Sequence, residues 1–432
     1  MSDIHYKLTD ISQFADYLIN NEMCEKFTCR NFDKNNSHYT IIYYDKSQLS
    51  TDNYNSIGLL RSVILNEDKK ICCFSPPKTI PFTDFQEKYP KDDNIIIEEF
   101  VEGTMINLFW DKHSSNWELS TRRTIGANNG FSFVTQKSKP NFTFRDLFND
   151  IINKIGFNLD MLDINYCYSF VIQHPANRIV LPIEKPSIYL IAVYSIQDDY
   201  TIQAISLDNY KEDEIWKNCG ISFPEIYNFT WDKYEDLQLW FGGATTPSKI
   251  TGAIIRNTIT NQICKIRNPN YENIRALRNN QPNPQYNYLQ LRQTNKVSEY
   301  LKFFPEDKNI FYKMRLDIHA FTQELYGNYI SCYIKKTKPL KEYSEYFRTH
   351  MYHLHQQFIT KLKPENKYIT KAIVIEYVNN LDPKLQMYSL NYKKNKSKNT
   401  KNEEIIYDIH DIQSTITSDD NMETEVSVEV TN

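Results

Sequence analysis

The sequence predicts an α+β protein in which antiparallel sheets come first and a mostly α-helical C-terminal domain follows. Three observations carry that expectation. Short runs of β-branched and aromatic residues, several alternating apolar with polar, recur as far as Arg267, as strands with one buried face require. From Tyr271 onward the apolar spacing becomes helical, with Pro282, Pro284, Pro305, Pro339 and Pro364 as punctuation. At 432 residues the chain also exceeds what one hydrophobic core serves, about 250–300 residues, so more than one domain is expected. The boundaries read from these patterns are 1–275, 276–392 and a flexible charged tail over 393–432.

Taken in order, Thr9 and Asp10 can cap a helix near residues 10–20, where apolar residues from Ile11 to Tyr17 recur at helical spacing. Tyr39–Tyr44, Gly58–Leu65 and Ile71–Phe74 read as strands, the last stopped by Pro76 and Pro77, which cannot donate to a ladder. Arg61 falls within the second of these. A guanidinium on a sheet face calls for a ligand or, alternatively, for a salt bridge or an open face. The stretch Asn94 to Gly126 is central. Ile95–Glu99, Met105–Trp110 and Trp117–Thr121 predict a β-meander, with Gly103, one of 10 glycines, between its first two strands. Such a glycine serves a positive φ or the close approach of a ligand, or else a plain tight turn. Arg122 and Arg123 end the third strand, and adjacent strand residues face opposite ways.

Beyond it, Thr143–Ile155 reads as an amphipathic helix, Tyr166–Gln173 and Ile188–Tyr194 as strands, and Asp208 to Trp240 as helical material outside the sheet. Ile250–Arg256 and Gln262–Arg267 predict a hairpin. Four helices are expected after that: Val297–Phe304, Asn309–Tyr326, Leu340–Lys363 and Thr370–Asn379. His350, His353 and His355 share one of them, but no cysteine or second histidine pair stands at zinc spacing, so packing or solvation accounts for them.

Fifty-four acidic residues against 50 basic ones give a net charge of −4, which excludes a globally basic nucleic-acid binder and confines any such surface to a local patch. The eight cysteines form no CxxC pair and sit in apolar segments, as reduced thiols do. No apolar window approaches about 18 residues, and the N-terminus lacks a secretory pattern. The expectation is a soluble intracellular protein of the cytoplasm (the host's, for a viral chain), with no membrane partner. The 31 tyrosines and 24 phenylalanines accompany many Asn, Ile and Lys residues, a bias that A+T-rich coding produces, so they carry little functional weight.

From Arg61 to Tyr271 a series of short motifs stands in a definite order: LLRSVIL around Arg61, FVEG over Phe100–Gly103, STRRTIG around Arg122, SFVIQHPANRIV from Ser169, TGAII from Thr251, and CKIRNPNY with Lys265 and Arg267. In order and spacing the series resembles the adenylyltransferase domain of covalent nucleotidyltransferases, most closely RNA ligases of the T-even phage tRNA-repair type, where a helical domain also follows. The resemblance implies a nucleotidyltransferase fold for residues 1–275. It implies phosphate contacts for Arg61, Arg122, Lys265 and Arg267, and places Glu102, Gly103 and Phe170 among the nucleotide-binding positions; Asn177 and Arg178 also persist. Phe100, however, stands where the family has its lysine nucleophile, and Ser169 and Thr251 stand where it has glutamates.

The family's first step needs an amine lone pair to attack the α-phosphate of ATP and a metal to neutralise charge there. A phenyl ring does neither. The resemblance therefore implies a degenerate site with no catalytic residue and no metal, binding a nucleotide such as ATP, or an RNA end, through its retained cations. One alternative is an active ATP-dependent RNA ligase that uses Mg2+ and a displaced lysine, with Lys78, Lys88, Lys91 and Lys112 nearest in sequence. Another is a non-catalytic scaffold. RNA or nucleotide is the implied partner, and the helical domain offers a surface for RNA or a protein.

Overall fold

The computed structural model describes residues 4–20, 25–34, 37–130, 142–279 and 283–399, with side chains as far as Tyr392. The chain divides into two compact units, Met1–Ala276 and Leu277–Asn432. It is α+β, with antiparallel sheets followed by a helical C-terminal region, as the sequence predicts.

The first unit holds three sheets among its described residues. A six-stranded sheet has the order β1–β11–β10–β9–β7–β8, built from β1 (Ile4–Lys7), β7 (Thr104–Asp111), β8 (Asn116–Ser120), β9 (Tyr166–Gln173), β10 (Ser187–Ile196) and β11 (Thr201–Ile205). β2 (Phe27–Lys34), β3 (Ser37–Tyr44), β4 (Val63–Leu65) and β5 (Ile71–Phe74) form a second sheet in sequence order. The third runs β13–β12–β6, from β6 (Ile95–Glu99), β12 (Gly252–Asn257) and β13 (Ile263–Arg267).

The period-two alternation of each strand sorts its residues between two faces. On one face of the six-stranded sheet Ile106, Leu108, Tyr168, Phe170 and Leu190 pack against the helix Phe144–Ile155 through its Leu147, Phe148, Ile151 and Ile152. Those four recur at i, i+1, i+4 and i+5, a single stripe. Thr143 and Asp146 close a capping box at the start, and Gly156 (φ 69°) ends the helix in the left-handed conformation. The opposite face, through Phe109, Cys167, Tyr194 and Ile202, meets Tyr39, Ile41, Val63 and Phe74 of the four-stranded sheet. The third sheet buries Ile95, Ile97, Ala253, Ile255, Cys264 and Ile266 against Phe85, Trp231, Leu237 and Phe241. Its other face is left with Ile254, Arg256, Lys265 and Arg267.

Several expectations are corrected. The predicted meander does not exist: β6 pairs with β12 (Ala253 opposite Glu99), whereas β7 pairs with β8 and β9 (Asn107 opposite both Ser120 and Ser169), so the first two strands lie in different sheets. Periodicity marks a strand but not its partner, and Gly103 allows the chain to leave one sheet for the other. Gly58–Leu65 is a strand only from Val63; Ile57–Leu59 is a 3-10 turn, and Arg61 lies in the bend between them. The structure adds β1, β2 and β11 and the helices Pro269–Arg278 and Pro284–Gln293 to the elements that the sequence predicts. The last helix, Pro383–Asn399, runs through the lysine-rich residues that the sequence assigns to a flexible tail; residues 400–432 lie outside the described ones.

In the second unit the helices Val297–Phe303, Lys308–Tyr329, Glu345–Gln357 and Lys371–Asn379 enclose Phe311, Phe321, Leu325, Phe347, Met351, Leu354, Val374 and Val378. Among the described residues no helix is long and apolar enough to cross a membrane. His350 is 2% exposed. Ser389 Oγ donates to the Leu385 carbonyl (2.9 Å), so it accepts from His350 Nε2 (2.8 Å), and Nδ1 is left to accept from the Tyr377 hydroxyl (2.9 Å). Both ring nitrogens are used by the neutral form. Burial, and then the nearby His353, push the imidazole down from 6.5 to about 4. A depressed histidine stabilises the fold fully above its unfolded value and ceases to as pH falls from 6.5 towards about 4, a loss of about 3 kcal/mol. Urea unfolding followed by circular dichroism should therefore show a larger fall in stability between about pH 7 and about pH 4.5 for the natural chain than for His350→Gln. Equal falls would remove His350 as the cause.

Candidate functional site

The tetrapeptide Phe100–Gly103 carries the chain from β6 to β7, and backbone geometry dictates how. Gly103 has φ 152°, and a Cβ there would stand 2.5 Å from Val171 Cγ1 and 2.6 Å from the Ile172 carbonyl oxygen. The close approach that demands glycine is thus to β9 of the same chain, not to open space for a ligand. Gly252 at the start of β12 has φ 136° and the same restriction, here against the Ile266 carbonyl.

Glu102 does not face an open pocket. It is 7% exposed and accepts the N–H groups of Val180 (3.3 Å) and Leu181 (3.1 Å) together with the Tyr271 hydroxyl. Its carbonyl accepts from Gln173 Nε2 (2.7 Å). Burial raises its pKa, while these donors and Arg178 pull the other way. It works as a staple, fixing the loop after β9 and the helix Pro269–Arg278 to the crossing peptide. Phe100 is tied through its carbonyl, which accepts from Thr251 Oγ1. Its ring lies below Lys265, whose Nζ is 5.6 Å from the ring centroid.

Ser169 lies on the face of the six-stranded sheet opposite to Phe170, as adjacent strand residues must. Its Oγ donates to Asn107 Oδ1 (2.9 Å), and Asn107 Nδ2 donates to Ser75 Oγ (2.8 Å). Ser120 is opposite Asn107 on β8, and the Ser75 N–H donates to the Ser62 carbonyl (3.2 Å). The result is a row of fully buried small polar residues, Ser62, Ser75, Ser120, Asn107 and Ser169, with Arg61 next to it. The hydroxyls of Ser62 and Ser120 and the Nε of Arg61 are buried without a hydrogen-bond partner among the described residues. Each such group costs about 1–3 kcal/mol if left dry, so the two hydroxyls in the row and the guanidinium beside it call for water or another polar group. Sequence reasoning missed Ser62, Asn107 and Ser120, although a polar residue inside an apolar strand run was the available signal.

The four cations fall into groups. Arg122 Nε donates to the Arg61 carbonyl (3.5 Å), and its guanidinium lies 4.6 Å from the Tyr44 ring centroid. Arg123 lies over the neighbouring Tyr43 instead (5.1 Å). Lys265 and Arg267 share one face of β13, two residues apart, and Arg267 is paired with Glu272 (2.8 Å). Phe170 is separated from all of them: it is fully buried in the core beneath the helix Phe144–Ile155, with its ring 6.1 Å from Phe148. The nucleotide role expected of it has no geometric basis, because its side chain points away from the polar row.

These residues do not fit a divalent metal. Ser169 and Thr251 offer hydroxyls already hydrogen-bonded, Glu102 is saturated by donors, and Glu98 is held by Arg256 (2.8 Å). Among the described residues no group of three His, Cys, Asp or Glu is placed to hold a metal ion. The alternative lysines are dispersed. Lys88 Nζ donates to Gln262 (3.1 Å), Lys91 lies over Trp231 (5.0 Å), and Lys112 borders a separate cavity of about 350 Å³ at the far end of β7, beside Trp110, Asp111 and Tyr166. That cavity includes none of the motif positions. Lys78 lies on the stretch between Ser75 and Ile80, its N–H donating to the Gly58 carbonyl (2.9 Å).

Arg61 stands beside the buried polar row of the six-stranded sheet, whereas Lys265 and Arg267 share a face of the three-stranded sheet. No family model matches the chain. Over 108 residues it is 34% identical to an RNA ligase of Rhodothermus phage RM378, a match that spans 23% of this chain and 23% of that protein. Two forms of an archaeal ATP-dependent RNA ligase superpose on 70% and 72% of this chain and on 70% and 79% of their own, at 8% and 10% identity, with TM-scores of 0.36 and 0.38. Superpositions that loose carry no argument. The likeness in sequence is to an RNA ligase, over about a quarter of either chain.

Proposed function

We propose that the chain is an RNA-ligase-like protein whose nucleotidyltransferase site has lost its chemistry, and that it binds a nucleotide or a phosphorylated RNA end without forming a covalent intermediate. The observation that carries this reading is Phe100 beneath Lys265. Where covalent catalysis needs an amine, this chain presents a ring, and the cation above it is kept. Removing the amine also removes its repulsion of Lys265, and the ring supplies a cation–π contact in its place. With serine and threonine at the two carboxylate positions, the site presents less negative charge to an incoming phosphate. The stretch that is 34% identical to a phage RNA ligase supports RNA or nucleotide as the ligand class. Arg267 must leave Glu272 to take part, and a partly exposed pair of this kind is held by roughly 1 kcal/mol or less, so a phosphate can compete for it.

Calorimetric titration with ATP and with a 5′-phosphorylated dinucleotide tests this. Affinity should fall as salt is raised, because phosphate binding releases counterions, and the double substitution Lys265→Ala, Arg267→Ala should weaken it by about tenfold or more. Binding that ignores both salt and the double substitution would place the ligand elsewhere and end the proposal.

A further inference from the structure

The helical unit carries an aromatic ladder that the site above does not use. The helices Lys308–Tyr329 and Glu345–Gln357 each end in a π-helical turn, Ile330–Ile334 and Phe358–Leu362. Such turns add a residue to the helical ring, rotate the side chains that follow, and recur at functional sites. Here they bring rings from both helix ends into register. Tyr333 stacks on His355 at 3.8 Å with 12° between planes; His355 continues to Phe358 (5.9 Å, 26°), and Phe358 to Tyr368 (6.4 Å, 20°). The last ring, Tyr368, is 71% exposed, although burying an aromatic face is ordinarily favourable.

Around this ladder the charge is inverted relative to the chain as a whole. Between Ile330 and Lys371 there are nine basic residues and three acidic ones, in a chain of net charge −4. Lys335 and Lys336 follow the first π-turn; Lys361, Lys363 and Lys367 surround the second, and all five are exposed. Of the acidic residues Glu365 is paired with Lys367 (2.7 Å), an exposed contact that a phosphate can replace. A stack of rings ending at solvent within a field of lysines has the two properties that bind single-stranded nucleic acid: π faces for bases and cations for the backbone.

We propose that Tyr368, at the open end of the Tyr333–His355–Phe358 ladder, takes an unpaired base and that Lys361, Lys363 and Lys367 hold the adjoining phosphates of a single-stranded RNA. The choice of RNA rests on the functional reading above; the stacking and charge arguments do not. Every base has a face to stack, so the surface is tolerant of sequence and excludes a duplex, whose bases are already stacked.

Fluorescence anisotropy of a labelled single-stranded RNA 12-mer with the full chain is the test, with the same RNA annealed to its complement as the second arm. Tyr368→Ala should weaken single-strand binding about tenfold, with Tyr368→Trp retaining it. Lys361→Gln, Lys363→Gln and Lys367→Gln together should lower the slope of log affinity against log salt by about two, at roughly 0.7 per phosphate contact. Tyr368 is exposed, so circular dichroism should be unchanged in its variants. Loss in Lys265→Ala, Arg267→Ala but not in Tyr368→Ala would overturn this inference and leave the nucleotide site standing. Loss in Tyr368→Ala with ATP binding absent would do the reverse. Equal affinity for duplex and single strand, or a protein-only partner with no RNA bound, would also overturn it.

Discussion

Gly103→Ala is expected to destabilise the first unit by about 3 kcal/mol or more, a large part of the 5–15 kcal/mol that holds a typical domain together. Two costs combine. Gly103 sits at φ 152°, which L side chains rarely adopt, and the added methyl would meet Val171 Cγ1 at 2.5 Å and the Ile172 carbonyl at 2.6 Å. The carbonyl belongs to the β7–β9 ladder and cannot swing aside without breaking it, so relief requires moving the crossing peptide off β9. Gly327 is the control. It lies in the helix Lys308–Tyr329 with nothing within 4 Å of an added Cβ, so Gly327→Ala should stabilise by about 1 kcal/mol through helix propensity. Urea midpoints of the two variants decide it; a Gly103→Ala midpoint equal to that of the natural chain would mean that the crossing is free to relax.

Incubated with ATP and Mg2+, the natural chain is expected to keep its intact mass, with no stoichiometric gain of a nucleoside monophosphate on any lysine. Phe100→Lys should not change that outcome. It restores an amine, but Ser169 remains committed to Asn107 and Thr251 to the Phe100 carbonyl, so neither position offers a carboxylate to hold a metal ion at the α-phosphate. Metal support of that kind is worth several kcal/mol of transition-state stabilisation, and both carboxylates that would provide for it are missing here. The restored amine would also face Lys265. Adenylylation of the natural chain, mapped by peptide mass to Lys78, Lys112 or any other lysine, would overturn the proposed loss of chemistry and establish the displaced-lysine ligase instead.

How far the sequence speaks depends on what each pattern encodes. The helix Phe144–Ile155 is legible to within a residue because its cap, its apolar stripe and its terminal Gly156 are all local. β6 and β7 are legible as strands but not as members of different sheets, since pairing is decided by residues some 150 positions away, as Ala253 is from Glu99. Faces follow a similar rule. Ser169 and Phe170 enter together as one motif, yet the pleat sends one to the polar row and the other to the core beneath a helix. The hidden row of Ser62, Ser75, Asn107 and Ser120 could not be assembled from four separate segments without the fold, though each residue interrupts or borders an apolar run. The π-turns are not legible in the residues of Ile330–Ile334 and Phe358–Leu362, and the Tyr333–His355 stack pairs rings from two separate helices.

Glu102 has a mechanical meaning as well. The helix Pro269–Arg278 contains the junction between Ala276 and Leu277 at which the two units divide. The covalent path from the second unit into the first runs along this helix. The ties it loads there are Glu272 to Arg267 on β13 and Tyr271 to Glu102 on the peptide that crosses from β6 to β7. A chain stretched from its C-terminal side, by a ribosome, a protease or an optical trap, would pull on both anchor points together. Its resistance would then draw on one strand of the third sheet and on the crossing peptide at the same time.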